Sequence, residues 1–188
     1  MVDFVKRAEK TGDIHPDEQV LAGSNVTPSP FGVVNAGMTG GMIAGGVVGM
    51  AVGAAWDKRR SSKDDEEQAG NALPDVAGRT PVEPAIPTNG ALLAVTTKRI
   101  IIWSIGGLGK PREVLHSIPL TDVDQVRWQD ADTRWLGGKP ASLLMWIGVG
   151  DSVLPCAGIS MGPAGKLIRG VVAAFEQRLP GRVGVWEG

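Results

Sequence analysis

From Ala91 onward the sequence is a succession of short apolar runs broken by turn residues, and this pattern limits the fold more than anything else in the chain. ALLAVTT (91–97) and RIIIWSIG (99–106) meet around Lys98, which predicts a β-hairpin. EVLHSIPL (113–120) and VDQVRWQD (123–130) read as two further strands. After a turn-rich stretch at Asp130–Pro140 containing Gly137-Gly138, SLLMWIGV (142–149) and SVLPCAG (152–158) form another hairpin across Gly150-Asp151. The count of six strands between 91 and 158 draws on the region Thr133–Trp135. Gly162-Pro163 then opens a helix, proline being favoured in a first turn. Leu167, Ile168, Val171, Val172, Phe175 and Leu179 recur at the spacing of one helical face. Lys166, Arg169, Glu176, Gln177 and Arg178 fill the opposite face, and Pro180-Gly181 ends the helix. Strands followed by one amphipathic helix predict an α+β domain in which the helix plugs a curved antiparallel sheet or open barrel.

Ahead of this domain lies a segment of different texture. Residues 31–55, FGVVNAGMTGGMIAGGVVGMAVGAA, carry no charge, and Gly37, Gly41, Gly45, Gly49 and Gly53 fall on every fourth position. Glycine costs a helix about 1 kcal/mol relative to alanine, so five of them on one stripe predict close packing against another backbone. The run exceeds the roughly 20 residues that a helix needs to cross a bilayer. Lys58, Arg59, Arg60 and Lys63 follow it, whereas residues 16–30 contain no Lys or Arg, which predicts a cytoplasmic C-terminal side. Asn35, Thr39 and the lack of Leu dilute the apolar character. Three forms are open: a membrane-spanning helix, a hairpin of two short helices that enters a membrane or packs on itself, and a soluble glycine-zipper helix paired with another chain. The expected partner is the protein itself, through residues 31–55.

The remaining text sets boundaries. Residues 1–30 form an N-terminal segment with a short apolar patch, VLAGSNV (20–26), read as a strand over 18–26. The Gly-rich hydrophobic helix or hairpin covers 31–56. Residues 57–90 mix charge blocks with Pro and Gly, which predicts a mobile linker. The strand-and-helix domain covers 91–180, and 181–188 is a tail. The N-terminus is polar, with no secretory signal pattern. Net charge is −1 over 188 residues, so no global electrostatic case for nucleic acid exists. A single cysteine, Cys156, allows no internal disulfide.

No motif supports an enzyme. Gly158-Ile159-Ser160-Met161-Gly162 matches G-x-S-x-G, but His15 and His116 both precede Ser160, and the hydrolase order needs a later one. It reads as a turn near a helix N-cap. Gly106-Gly107-Leu108-Gly109-Lys110-Pro111 lacks the spacing of a phosphate loop and leads into a strand. Cys156 reads as a small hydrophobe, and His116 has no second ligand at metal spacing. No catalytic residue, metal site or cofactor is expected.

The segment GALLAVTTKRIIIW, the following GKPREVLHSIPLTDVDQVRW, the late hairpin and the terminal helix resemble bacterial pleckstrin-homology-like (PH-like) domains. LLAVTTKRIIIW is similar to that family's LxVTxxRL hairpin, and SIPLTDV matches it further along. The resemblance implies a seven-stranded, strongly bent sheet, a partly open barrel capped by the C-terminal helix. Asp17–Ala22, DEQVLA, is similar to the GExVL phrase that opens such domains, which makes 18–26 the first strand and 31–89 an insertion. Both ends of an insertion must return to one body, so a single membrane crossing is then forbidden. The resemblance also implies that hairpin loops gather on one rim. Lys98, Arg99, Lys110 and Arg112 would then hold an anionic phospholipid headgroup or a protein partner, with Trp135 as an exposed contact. The resulting expectation is a non-enzymatic, self-associating adaptor at the cytoplasmic face of the membrane. The alternative is a soluble, cytoplasmic protein-binding module that oligomerises through its glycine helix.

Overall fold

The computed structural model describes residues 4–28, 76, 79–106, 110–131, 142–160 and 162–186. The glycine stripe at Gly37–Gly53 and Trp135 lie outside them. A short helix α1 (Phe4–Glu9) comes first, then strand β1 (Val20–Pro28) and a two-residue strand β2 (Thr80–Pro81). Strands β3 (Ala91–Thr96), β4 (Arg99–Ile105) and β5 (Pro111–Pro119) follow. A 3-10 turn (Leu120–Asp122) leads to β6 (Val123–Ala131), β7 (Ser142–Val149) and β8 (Ser152–Ile159). Helix α2 (Gly162–Arg178) and a last strand β9 (Val183–Val185) complete the chain. The described residues thus hold six strands between Ala91 and Ile159, and Thr133–Trp135 lies outside them.

These strands make one large, mostly antiparallel sheet in the order β5-β4-β3-β1-β8-β7-β6-β9. β1 joins its two halves. Val20–Val26 pair with β3, while Thr27 and Pro28 pair with Ala157 and Cys156 of β8. The strand that sequence places at 18–26 is thus a central strand, hydrogen-bonded to the sheet that begins at Ala91. Consecutive hairpins fix the rest of the register: Val95 opposite Ile100, Ile100 opposite Ile118, and Val149 opposite Ser152.

Strand alternation sends Leu93, Val95, Ile100, Ile102, Met145 and Ile147 to the inner face. Helix α2 closes that face with Ile168, Val171, Val172 and Phe175, all buried. Its seat depends on glycines. A Cβ at Gly158 would lie 2.6 Å from the Ile168 side chain, and one at Gly165 would lie 2.1 Å from the Ser160 carbonyl oxygen. Gly162, with φ +59, starts the helix in a conformation that side-chain-bearing residues rarely adopt. The G-x-S-x-G spelling is thereby explained as a strand-to-helix packing turn.

The outer faces are also covered, which the sequence did not predict. Residues before β1 cross the outside of β3 and β4, where Ala8 packs with Val20, Leu92, Ala94, Ile101 and Trp103, and Ile14 adds to them. Val76 and Trp186 cover Leu144, Trp146, Val153 and Ala157 on the outside of β7 and β8. The Trp146 and Trp186 rings meet edge to face, 5.6 Å apart, a favoured aromatic geometry.

Two boundaries change accordingly. Residues 79–90 were expected to be the end of a mobile linker, but they are built into the fold. Val82 N donates to Val153 O at 2.9 Å, His116 Nε2 donates to Pro84 O at 2.6 Å, and Ile86 is buried in the inner core. Residues 183–185, expected as tail, pair in parallel with Val126–Trp128 of β6. Single apolar residues set among Pro and Gly supply both anchors, so neither segment shows a hydrophobic period.

Candidate functional site

The four cations expected on one rim sit at two ends of the sheet. Lys98 and Arg99 lie at the β3–β4 turn, and Arg99 is opposite Pro119. Lys110 and Arg112 lie at the β4–β5 loop, where Ile105 is opposite Pro111. Six residues of β4 separate the ends, about 20 Å at the rise of an extended strand. The physical reason is elementary: successive turns of an antiparallel meander fall at alternate ends.

Arg99 is a structural residue. Its Nε is 3.0 Å from Glu18 Oε1, its Nη2 is 2.9 Å from Glu18 Oε2, and Nη2 also donates to the Asp13 carbonyl at 2.7 Å. Glu18 is nearly sealed from solvent, with 1% of its side chain exposed. Thr96 Oγ1 donates to Glu18 Oε1 at 2.6 Å. Burial alone would raise the Glu18 pKa, but hydrogen bonds from Arg99 and Thr96 outweigh it and hold the carboxyl below its ordinary value. The hydrogen bond from Glu18 in turn raises Arg99. Nearby, Trp103 Nε1 donates to Asp13 Oδ2 at 2.7 Å. This network ties the segment before β1 to the outer face of the sheet.

Lys98 is different. It pairs with Asp17, and both side chains are more than half exposed. Lys98 lowers the Asp17 pKa through that hydrogen bond and its charge. It also lines a cleft of about 560 Å³ with Thr97, Leu120, Thr121, Arg178, Leu179, Pro180 and Arg182. The β3–β4 turn, the 3-10 turn and the end of α2 build this cleft together. Arg178 Nη2 donates to Thr97 O at 2.6 Å, and Arg182 Nη1 donates to Val123 O at 2.9 Å. Sequence spacing puts Arg178 on the helix face opposite the apolar one and assigns no role to Arg182. A basic residue in the last turn of a helix, followed by another just past Pro-Gly, was the available signal.

At the far end, Lys110 O accepts from Gly106 N at 2.8 Å, closing the β4–β5 loop. The Arg112 side chain lies across Gly106, where a Cβ would come within 2.2 Å of its Nε. Among the described residues no group of three or more His, Cys, Asp or Glu could hold a metal ion. Cys156 is fully buried, and burial pushes its thiol up to about 12, so it stays protonated near neutral pH.

The described residues define an α+β fold: one large, mostly antiparallel sheet, with one long helix after β8 closing its inner face. No protein-family model and no curated protein matches the sequence. Among solved structures it is similar to the hSac2 domain from human phosphoinositide phosphatase Sac2, at 10% identity and a TM-score of 0.42, over 98% of this chain and 86% of that one. At that score the likeness carries no argument about function.

Proposed function

We propose that the protein is a non-enzymatic PH-like binding module that works as an adaptor at the cytoplasmic face of a membrane and self-associates through residues 31–55. The observation that carries this reading is the strand order β5-β4-β3-β1-β8-β7-β6 with α2 over its inner face. Among the described residues it has seven principal strands in one mostly antiparallel sheet and a long helix over one face, which supports the bent sheet and capping helix that the sequence resemblance implies. Such a frame presents turns, a helix end and clefts for binding.

The position of the insertion supports the second part. Pro28 pairs with Cys156, and Thr80 pairs with Ser152, both along β8. Pro28 and Thr80 therefore lie four residues apart along one strand, about 13 Å. A chain that returns to the sheet it left does not cross a bilayer an odd number of times. On this reading the glycine stripe of residues 31–55, which lies outside the described residues, offers a close-packing surface to a membrane or to a second copy. Among the described residues no helix is long and apolar enough to cross a membrane.

Sedimentation with vesicles of phosphatidylglycerol and phosphatidylcholine, against phosphatidylcholine alone, tests the reading. The full chain is expected to pellet with the anionic vesicles and to lose this on deletion of 31–55. No pelleting, together with an oligomeric mass in solution that this deletion abolishes, would replace it with the soluble protein-binding module.

A further inference from the structure

We propose that the cleft at the β3–β4 turn binds a phosphate-bearing ligand through Lys98, Arg178 and Arg182. This deepens the binding-module reading by naming a site and a ligand class. Lys98 of the β3–β4 turn meets Arg178 and Arg182 from the end of α2 in one cleft. No carboxylate is among its described lining residues, and the acidic neighbours are Asp17, paired with Lys98, and Asp122, which accepts from Thr121 Oγ1. It is an open surface cleft of about 560 Å³, which suits a charged headgroup held at the surface better than an enclosed ligand. Thr97 and Thr121 add hydroxyls to the wall, and Leu120, Leu179 and Pro180 give it an apolar part.

Two of the three charges are already held in place. Arg178 spends Nη2 on the Thr97 carbonyl and Arg182 spends Nη1 on the Val123 carbonyl. A guanidinium has five N–H donors, so each keeps others for a ligand. Fixing the side chains before binding reduces the entropy lost on association. Planar guanidinium groups suit phosphate oxygens especially well. The helix dipole acts in the other direction, since the C-terminus of α2 carries roughly half a negative charge. Three formal positive charges outweigh it. Asp17 is the competitor at Lys98, but both side chains are more than half exposed, and a solvated ion pair of this kind is weak. A phosphate can displace it.

Calorimetric titration of the full chain with inorganic pyrophosphate at low salt tests the site. Saturable one-site binding is expected. Lys98→Gln/Arg178→Gln should weaken it by about tenfold or more. Asp17→Asn should strengthen it about two- to threefold, a gain that misfolding cannot produce. Lys110→Gln/Arg112→Gln should leave it unchanged, and thermal unfolding of each variant checks the fold. Absence of saturable binding, or an equal loss from the Lys110/Arg112 pair, overturns the proposal. Anionic vesicles separate the sources. Pyrophosphate binding together with pelleting, both abolished in the Lys98/Arg178 variant, supports the cleft and assigns it a lipid headgroup. Pyrophosphate binding without any pelleting supports the cleft with a soluble phosphate compound and removes the membrane reading. Pelleting that survives the cleft variant, with no pyrophosphate binding, removes the cleft and leaves the membrane reading standing.

Discussion

Two ends of one sheet carry cations in very different circumstances. At the β4–β5 loop, Lys110 and Arg112 are exposed on a strand edge. At the β3–β4 turn, Arg99 is sunk into a carboxylate network, while Lys98 beside it faces a cleft that the end of α2 completes. Residue type and spacing do not separate these roles. The separation comes from what else the topology delivers to each end. Arg99 meets Glu18 only because β1 lies next to β3, and Lys98 meets Arg178 and Arg182 only because α2 runs back to the same end.

The largest effect concerns β1. Deleting residues 1–30 removes a central strand and the outer cover of β3 and β4. The remaining chain is expected to show no cooperative unfolding transition, and a stable, cooperative 74–188 fragment would break the account of both ends at once. Next, Phe175→Ala empties a fully buried site beneath α2. It should cost about 3–5 kcal/mol in urea unfolding and loosen the cleft end.

Glu18→Ala strands Arg99 and should cost about 2–4 kcal/mol, at or below the range for breaking buried pairs, because Arg99 is 24% exposed. The pH dependence follows from the same network. The folded-state pKa of Glu18 is lowered, so its contribution is present above the unfolded carboxyl value of about 4.3. It is lost as pH falls through the folded value. Urea midpoints measured from neutral pH downward should therefore fall more steeply for the wild type than for Glu18→Gln. Identical slopes would mean that the buried carboxyl does not anchor this end. The smallest effect lies at the other end, where Lys110→Gln/Arg112→Gln should change stability by no more than about 0.5 kcal/mol.

Much of the frame was readable in the sequence. Alternating apolar runs between turn residues mark β3 to β8 because a half-buried strand and a tight turn each leave a local signature. The face of α2 that carries Ile168, Val171, Val172 and Phe175 was equally plain. Segments held by one or two side chains were not. Val76 and Ile86 among prolines, Trp186 after Val183–Val185, and Ala8 in a six-residue helix anchor only against surfaces formed elsewhere. The candidate site was half visible. Lys98 stands out in its hairpin, but Arg178 and Arg182 acquire their role from where a helix ends. The shared rim failed because adjacent turns of a meander point to opposite ends.

The contrast between the two ends can be read in one experiment, a two-dimensional amide NMR titration of the full chain with pyrophosphate. The account predicts saturable shifts at Thr97, Lys98, Thr121 and Arg182, with Lys110 and Arg112 unmoved. Shifts confined to Lys110 and Arg112, or spread evenly over both ends, would contradict it.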